Sequence, residues 1–123
     1  MLCLKITDKY KHIYKYPDYQ IAVGRNSRGN DHIIEYYSFV KERCYWFHLD
    51  KLSGEHIILY LEKDLKIEDV ISIFKDIKMQ ITSKKKGDVM FCILSDVNKL
   101  SKPGLVTCNN RVLMSDSNWV SLI

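Results

Sequence analysis

Five consecutive apolar residues, Ile57-Ile58-Leu59-Tyr60-Leu61, place the tightest constraint on the fold. Successive side chains of a strand point to opposite faces, so this run is apolar on both and reads as a central strand. Val89–Leu94 is a second two-sided apolar strand. Between them lies the clearest helix. Ile67, Val70, Ile71, Phe74, Ile77 and Ile81 fall at offsets 0, 3, 4, 7, 10 and 14, an amphipathic stripe. Glu68 and Asp69 occupy its first turn and Lys84–Lys86 its end, the distribution the helix dipole favours.

Shorter strands are predicted at Leu2–Ile6 and His12–Tyr16, joined by a turn at Asp8–Lys9, and at Tyr19–Val23 after Pro17–Asp18. Asn30 or Asp31 is a suitable N-cap for a short helix over about His32–Val40. Tyr45–Leu49 and His56–Leu61 are strands flanking the polar loop Asp50–Glu55. Val97–Pro103 reads as a lysine-bearing loop, and Asn109–Asn110 as the turn of a hairpin between Leu105–Cys108 and Val112–Met114. The fold class is α+β: a single compact domain over residues 1–123 with six to eight short strands in all, a mixed, mostly antiparallel sheet, one long helix and one short helix.

At 123 residues with 46% hydrophobic content, the chain is long enough for one core and too apolar for general disorder. No run approaches the ~20 apolar residues of a membrane span, and the first residues lack a signal-peptide layout. Cys3, Cys44, Cys92 and Cys108 form no C-x-x-C pair, which argues against a zinc module, and their scatter through hydrophobic stretches suits reduced thiols in an intracellular protein. The net charge of +4 is unevenly distributed. Residues 1–43 carry eight Lys/Arg against five Asp/Glu, residues 44–81 five against seven, and residues 82–111 six against two. Folding could collect the two basic segments on one face, as in a polyanion binder.

Three segments carry candidate chemistry. Gly24-Arg25-Asn26-Ser27-Arg28-Gly29-Asn30-Asp31 has two glycines, two arginines and an adjoining helix start, a combination suited to phosphate. Its glycine spacing echoes a P-loop, but Asn30-Asp31 stand where Lys and Ser/Thr would be needed, so an NTPase reading fails. Tyr45-Trp46-Phe47-His48-Leu49-Asp50-Lys51-Leu52-Ser53-Gly54-Glu55-His56 concentrates aromatic, histidine and lysine side chains around a Ser-Gly turn, with the means to stack an unpaired base. Asp50, Ser53 and His56 are the residue types of a hydrolase triad, but crowded into one loop without a nucleophile elbow. His48, Asp50 and His56 do not complete a metal set of known spacing, so neither metal nor other cofactor is expected. The third segment is Lys84-Lys85-Lys86, followed by Lys99, Lys102 and Arg111.

Taken in order, Gly24-Arg25, Asn30-Asp31, Trp46-Phe47-His48, Ser53-Gly54-x-His56 and Lys102-Pro103-Gly104-Leu105-Val106 resemble the NFACT-R family, also catalogued as a domain of unknown function. The resemblance covers about residues 19–108. Large members of that family belong to ribosome quality-control factors, which also carry an NFACT-N domain and a long coiled coil. This chain is more similar to the short stand-alone eukaryotic members, including a microsporidian ribosome dormancy factor.

The resemblance implies a non-enzymatic, monomeric, cytoplasmic factor that contacts rRNA and ribosomal proteins and holds idle ribosomes inactive. It would do so by occupying a tRNA site, the exit site being favoured, without a membrane partner. The RNA-binding residues expected are Arg25, Asn26, Arg28, Asn30, His48, Lys51, Ser53, His56, Lys84, Lys85, Lys86, Lys99 and Lys102. The alternatives are an RNA- or tRNA-binding adaptor in ribosome rescue and, more remotely, a small hydrolase or nuclease.

Overall fold

The computed structural model describes residues 3–114. The chain runs through β1 (Leu4–Thr7), β2 (Lys11–Lys15), β3 (Tyr19–Gly24), helix α1 (Ser27–Tyr36), a 3-10 segment (Ser38–Arg43), β4 (Cys44–Leu49), β5 (Ile57–Leu61) and helix α2 (Ile67–Lys84). It continues through β6 (Val89–Ile93), a short 3-10 turn (Leu94–Asp96), β7 (Val97–Lys99), β8 (Val106–Cys108) and β9 (Val112–Leu113). Seven strands form one antiparallel sheet in the order β1-β2-β3-β5-β4-β6-β9, while β7 and β8 form a separate two-stranded ribbon.

The sheet is the middle of three layers. On one face Val23, Phe47, Ile57, Leu59 and Phe91 pack with Val70, Phe74, Ile77 and Ile81 of α2. On the other, Ile13, Ala22, Trp46, Ile58 and Met90 pack with Ile33 and Ile34 of α1 and with Tyr37. Alternation within β5 assigns Ile57 and Leu59 to one core and Ile58 to the other. Strand β5 is the fourth of seven, the central position its two apolar faces predict.

Two local expectations are corrected. Helix α1 begins at Ser27 rather than His32 and ends at Tyr36, and its N-cap is Asn26 rather than Asn30 or Asp31. The Asn26 Oδ1 accepts from the Gly29 N–H at 2.7 Å. Glycine's low helix propensity makes Gly29 look like loop, but its missing side chain is what the packing requires. A Cβ there would lie 2.0 Å from the Tyr10 carbonyl oxygen. The second correction concerns the C-terminal part. Val97–Lys99 is a strand, paired with Val106–Cys108, and the expected hairpin between Leu105–Cys108 and Val112–Met114 does not form. Asn110 does turn the chain, at φ 54°, but delivers it from the ribbon to the edge of the main sheet, where β9 pairs with β6.

Candidate nucleic-acid interface

Strand register brings the loops of interest to one end of the sheet. Lys11 pairs with Gly24, Val23 with Ile57, Phe47 with Ile57, and Leu49 with Val89. The turn before β2, the start of α1, the β4–β5 loop and the segment after α2 therefore lie side by side. The ribbon joins them because the Gly104 N–H donates to Asp31 Oδ1 at 3.1 Å. Gly104 has φ +79°, and a Cβ on it would meet Ser27 Cβ at 3.0 Å.

Two clefts open at this end and adjoin at Ser27, Asn30, Ser53 and Gly54. The first, of about 540 Å3, has Arg25, Asn26, His12, Gln80, Glu55 and Lys84 in its walls. The second, of about 490 Å3, is lined by Trp46, His48, Leu52 and Met90, together with Lys51 and Lys102-Pro103. Asn26 satisfies the Gly29 N–H and leaves the Ser27 and Arg28 N–H groups without a partner among the described residues. Ser27 lines both clefts, so its free donor and the positive end of the helix dipole lie where they meet. The arrangement offers hydrogen-bond donors and cations to an anion in the first cleft, and a largely apolar slot with lysines at its rim in the second.

The expected site residues fall into distinct groups. Arg25, Asn26, His48, Lys51, Ser53, Lys84 and Lys102 line the two clefts, and Lys85 lines an adjoining depression. Arg28 lines a third depression, together with Lys9 and Tyr10. Lys86 lines neither cleft, and Lys99 is carried by β7 into an ion pair with Glu35. Some of the charge is locally neutralised. Lys84 Nζ lies 3.1 Å from Glu55 Oε2, and Lys85 Nζ donates to the Ser53 carbonyl at 3.0 Å. Arg25 Nη1 donates to the Asp8 carbonyl at 2.6 Å and has no carboxylate partner among the described residues.

Asn30 and His56 support the site from within. Asn30 is 7% exposed, and its Oδ1 accepts from the His56 N–H at 3.2 Å. A Cβ at Gly24 would lie 2.0 Å from that oxygen, so Gly24 and Asn30 fix the junction of β3, α1 and β5 together. His56 is 3% exposed, and its Nδ1 accepts from the Trp46 indole N–H at 3.2 Å. A neutral imidazole accepting at Nδ1 carries its proton on Nε2. Burial pushes the His56 pKa down to about 3, with the neighbouring His48 acting in the same direction. His48 lies parallel to Trp46, with centroids 5.5 Å apart, and its Nδ1 donates to the Leu49 carbonyl at 2.6 Å. Burial lowers its pKa, opposed by its hydrogen bonds to the Leu49 and Gly54 backbone. The residues of the hydrolase alternative have other partners: Asp50 pairs with Arg111 at 2.9 Å, Ser53 with Lys85, and His56 with Trp46.

No group of three or more His, Cys, Asp or Glu side chains is placed to hold a metal among the described residues. The four cysteines are free thiols, and no helix among the described residues is long and apolar enough to cross a membrane. The sequence reading did not single out Tyr10, His32 and Tyr36, whose rings stack beside the Arg28 depression. The spacing of Gly29, His32 and Tyr36 along α1 was the available signal, obscured by starting the helix at His32.

Fold and site define a small three-layer α+β domain with a basic, partly apolar double cleft at one end of its sheet. No protein-family model matches the chain. It is similar to coiled-coil domain-containing protein 25 of Mus musculus and of Bos taurus, with 33% identity to each over 86 residues. The match takes in 69% of this chain but only 38% of either relative's length. The C-terminal part of the fibronectin/fibrinogen-binding protein from Streptococcus suis superposes with a TM-score of 0.64, covering 96% of this chain and 50% of that one. At 18% identity, the likeness is one of fold.

Proposed function

We propose that this domain binds ribosomal RNA and holds idle ribosomes inactive by occupying a tRNA site. The observation that carries the RNA-binding reading is the convergence of Arg25, Lys51, Lys84 and Lys102 with the start of α1 around two adjoining clefts. Phosphates fit the first cleft, where guanidinium and helix N–H groups approach together. An unpaired base fits the second, with His48 and the Leu52–Pro103 walls around it and Lys51 and Lys102 at the flanking phosphates. The choice of an idle ribosome comes from the resemblance to short NFACT-R members. A domain of 14.5 kDa has dimensions suited to a tRNA site.

Co-sedimentation with vacant ribosomes across a salt series tests this reading. With about four phosphate contacts, affinity should fall roughly 50- to 150-fold between about 50 and 200 mM salt, because binding releases condensed counterions. The charge-removing pair Lys51→Gln and Lys102→Gln should weaken binding by about tenfold or more without changing the thermal melt. Neither lysine has an ion-pair partner among the described residues. Salt-insensitive sedimentation, or full retention by the double variant, would overturn the assignment. Recovery with polysomes instead of vacant monosomes would replace dormancy with the rescue-adaptor function.

A further inference from the structure

We infer that Tyr10, His32 and Tyr36 form a platform on which unpaired nucleobases stack, extending the RNA path from the first cleft across the start of α1. This rests on the RNA-binding reading and names a second contact surface and the kind of RNA it takes, a single-stranded segment. The Tyr10 and His32 rings are stacked at 4.7 Å and 11°, and His32 and Tyr36 continue the ladder at 6.4 Å and 26°. Gly29, His32 and Tyr36 share one face of α1, at spacings of three and four residues. Because Gly29 lacks a side chain, the Tyr10 backbone can approach the helix and its ring can meet His32.

Lys11 holds the ladder in place. Its side chain is almost completely buried, with Nζ 2.7 Å from Asp8 Oδ2, 2.9 Å from His32 Nε2 and 4.8 Å from the centre of the Tyr36 ring. An ammonium can only donate, so His32 Nε2 is an acceptor and the imidazole in this contact is neutral. The stack is thus pre-formed, and a base added to it need not order the rings.

The charges around it favour a polyanion. Asp8 is engaged by Lys11, and Glu35 by Lys99, which neutralises two of the carboxylates around the stack. Lys9 lies over the Tyr10 ring at 4.9 Å, and Arg28 lines the adjoining depression; neither has an ion-pair partner among the described residues. Tyr36 is half exposed although it is a large aromatic residue. Asn26 and Ser27 line both this depression and the first cleft, so a strand leaving the cleft meets the ladder directly. Rings beside unpaired cations are the elements by which single-stranded nucleic acid is bound without sequence readout.

The test compares a short oligoadenylate with an abasic oligonucleotide carrying the same number of phosphates. Tyr36→Ala should weaken oligoadenylate binding by about tenfold, the order expected for losing one base–aromatic stack, and leave abasic binding unchanged. Tyr36→Phe should restore the oligoadenylate affinity, and the melting temperatures of both variants should match the parent. If Tyr36→Ala leaves oligoadenylate binding unaltered, or weakens both probes equally, the platform is overturned while the phosphate-binding clefts stand. If the parent binds neither probe, the RNA-binding reading fails and the platform with it.

Discussion

His56 sits where β5 begins, and its imidazole must remain neutral to accept the Trp46 indole proton. Its folded-state pKa of about 3 lies well below the ordinary value of 6.5, so the unfolded chain binds more protons between those values. Stability is therefore complete above about pH 6.5 and is lost as pH falls toward the folded pKa, at about 1.4 kcal/mol per pH unit. His48, also lowered by burial, contributes in the same direction. Urea denaturation should give a stability about 2–3 kcal/mol lower near pH 4.5 than near pH 8. His56→Asn keeps an acceptor for Trp46 but cannot titrate, so it should flatten most of that slope. An unchanged slope in this variant would assign the acid sensitivity to other groups. Asp8 belongs to a lower window, since its bond to Lys11 holds its pKa below the usual carboxylate range and its contribution is lost only under more acidic conditions.

Among the elements, α1 shows how a packing requirement overrides local propensity. Replacing a helical glycine with alanine ordinarily stabilises a helix by about 1 kcal/mol. Gly29→Ala should do the opposite, costing about 1–3 kcal/mol, because its Cβ would lie 2.0 Å from the Tyr10 carbonyl oxygen and 3.3 Å from the capping Asn26 side chain. A thermal melt that rises in the variant would contradict the close approach of helix and turn. The same contact explains what was hidden in the sequence. Gly-Arg-Asn-Ser-Arg-Gly has the composition of a loop, and the reason for a glycine inside the helix is a backbone atom nineteen positions earlier. Helix α2 was legible because its burial is a local period: Val70, Phe74, Ile77 and Ile81 of the expected stripe are buried. The ribbon was not, because Asn109–Asn110 does make a turn, and nothing local states that its two sides join different sheets.

At the scale of the whole molecule, the two basic segments meet because α1 starts, and α2 ends, at the same end of the sheet. Their separate charge excesses were readable; the proximity of Arg25 to Lys84, and the neutralisation of Lys84 by Glu55, needed the topology. The layers that create this proximity share their strands, with Phe47 facing one core and the adjacent Trp46 the other. Damage to one core should therefore unfold both. Phe74 is fully buried against Tyr45, Phe47 and Phe91, with ring centroids 4.9–5.0 Å away. Phe74→Ala should cost about 3–5 kcal/mol, a large part of the 5–15 kcal/mol typical of a domain. The chain has two tryptophans, and a Trp119→Phe background leaves Trp46 as the sole indole reporter of the opposite core. In that background, Trp46 fluorescence and far-ultraviolet circular dichroism should give coincident unfolding curves, both shifted equally by Phe74→Ala. Curves that separate, with Trp46 unfolding at its original denaturant concentration, would mean that the α1 face is an independent unit. The clefts could then survive loss of the α2 core, apart from the wall supplied by Gln80 and Lys84.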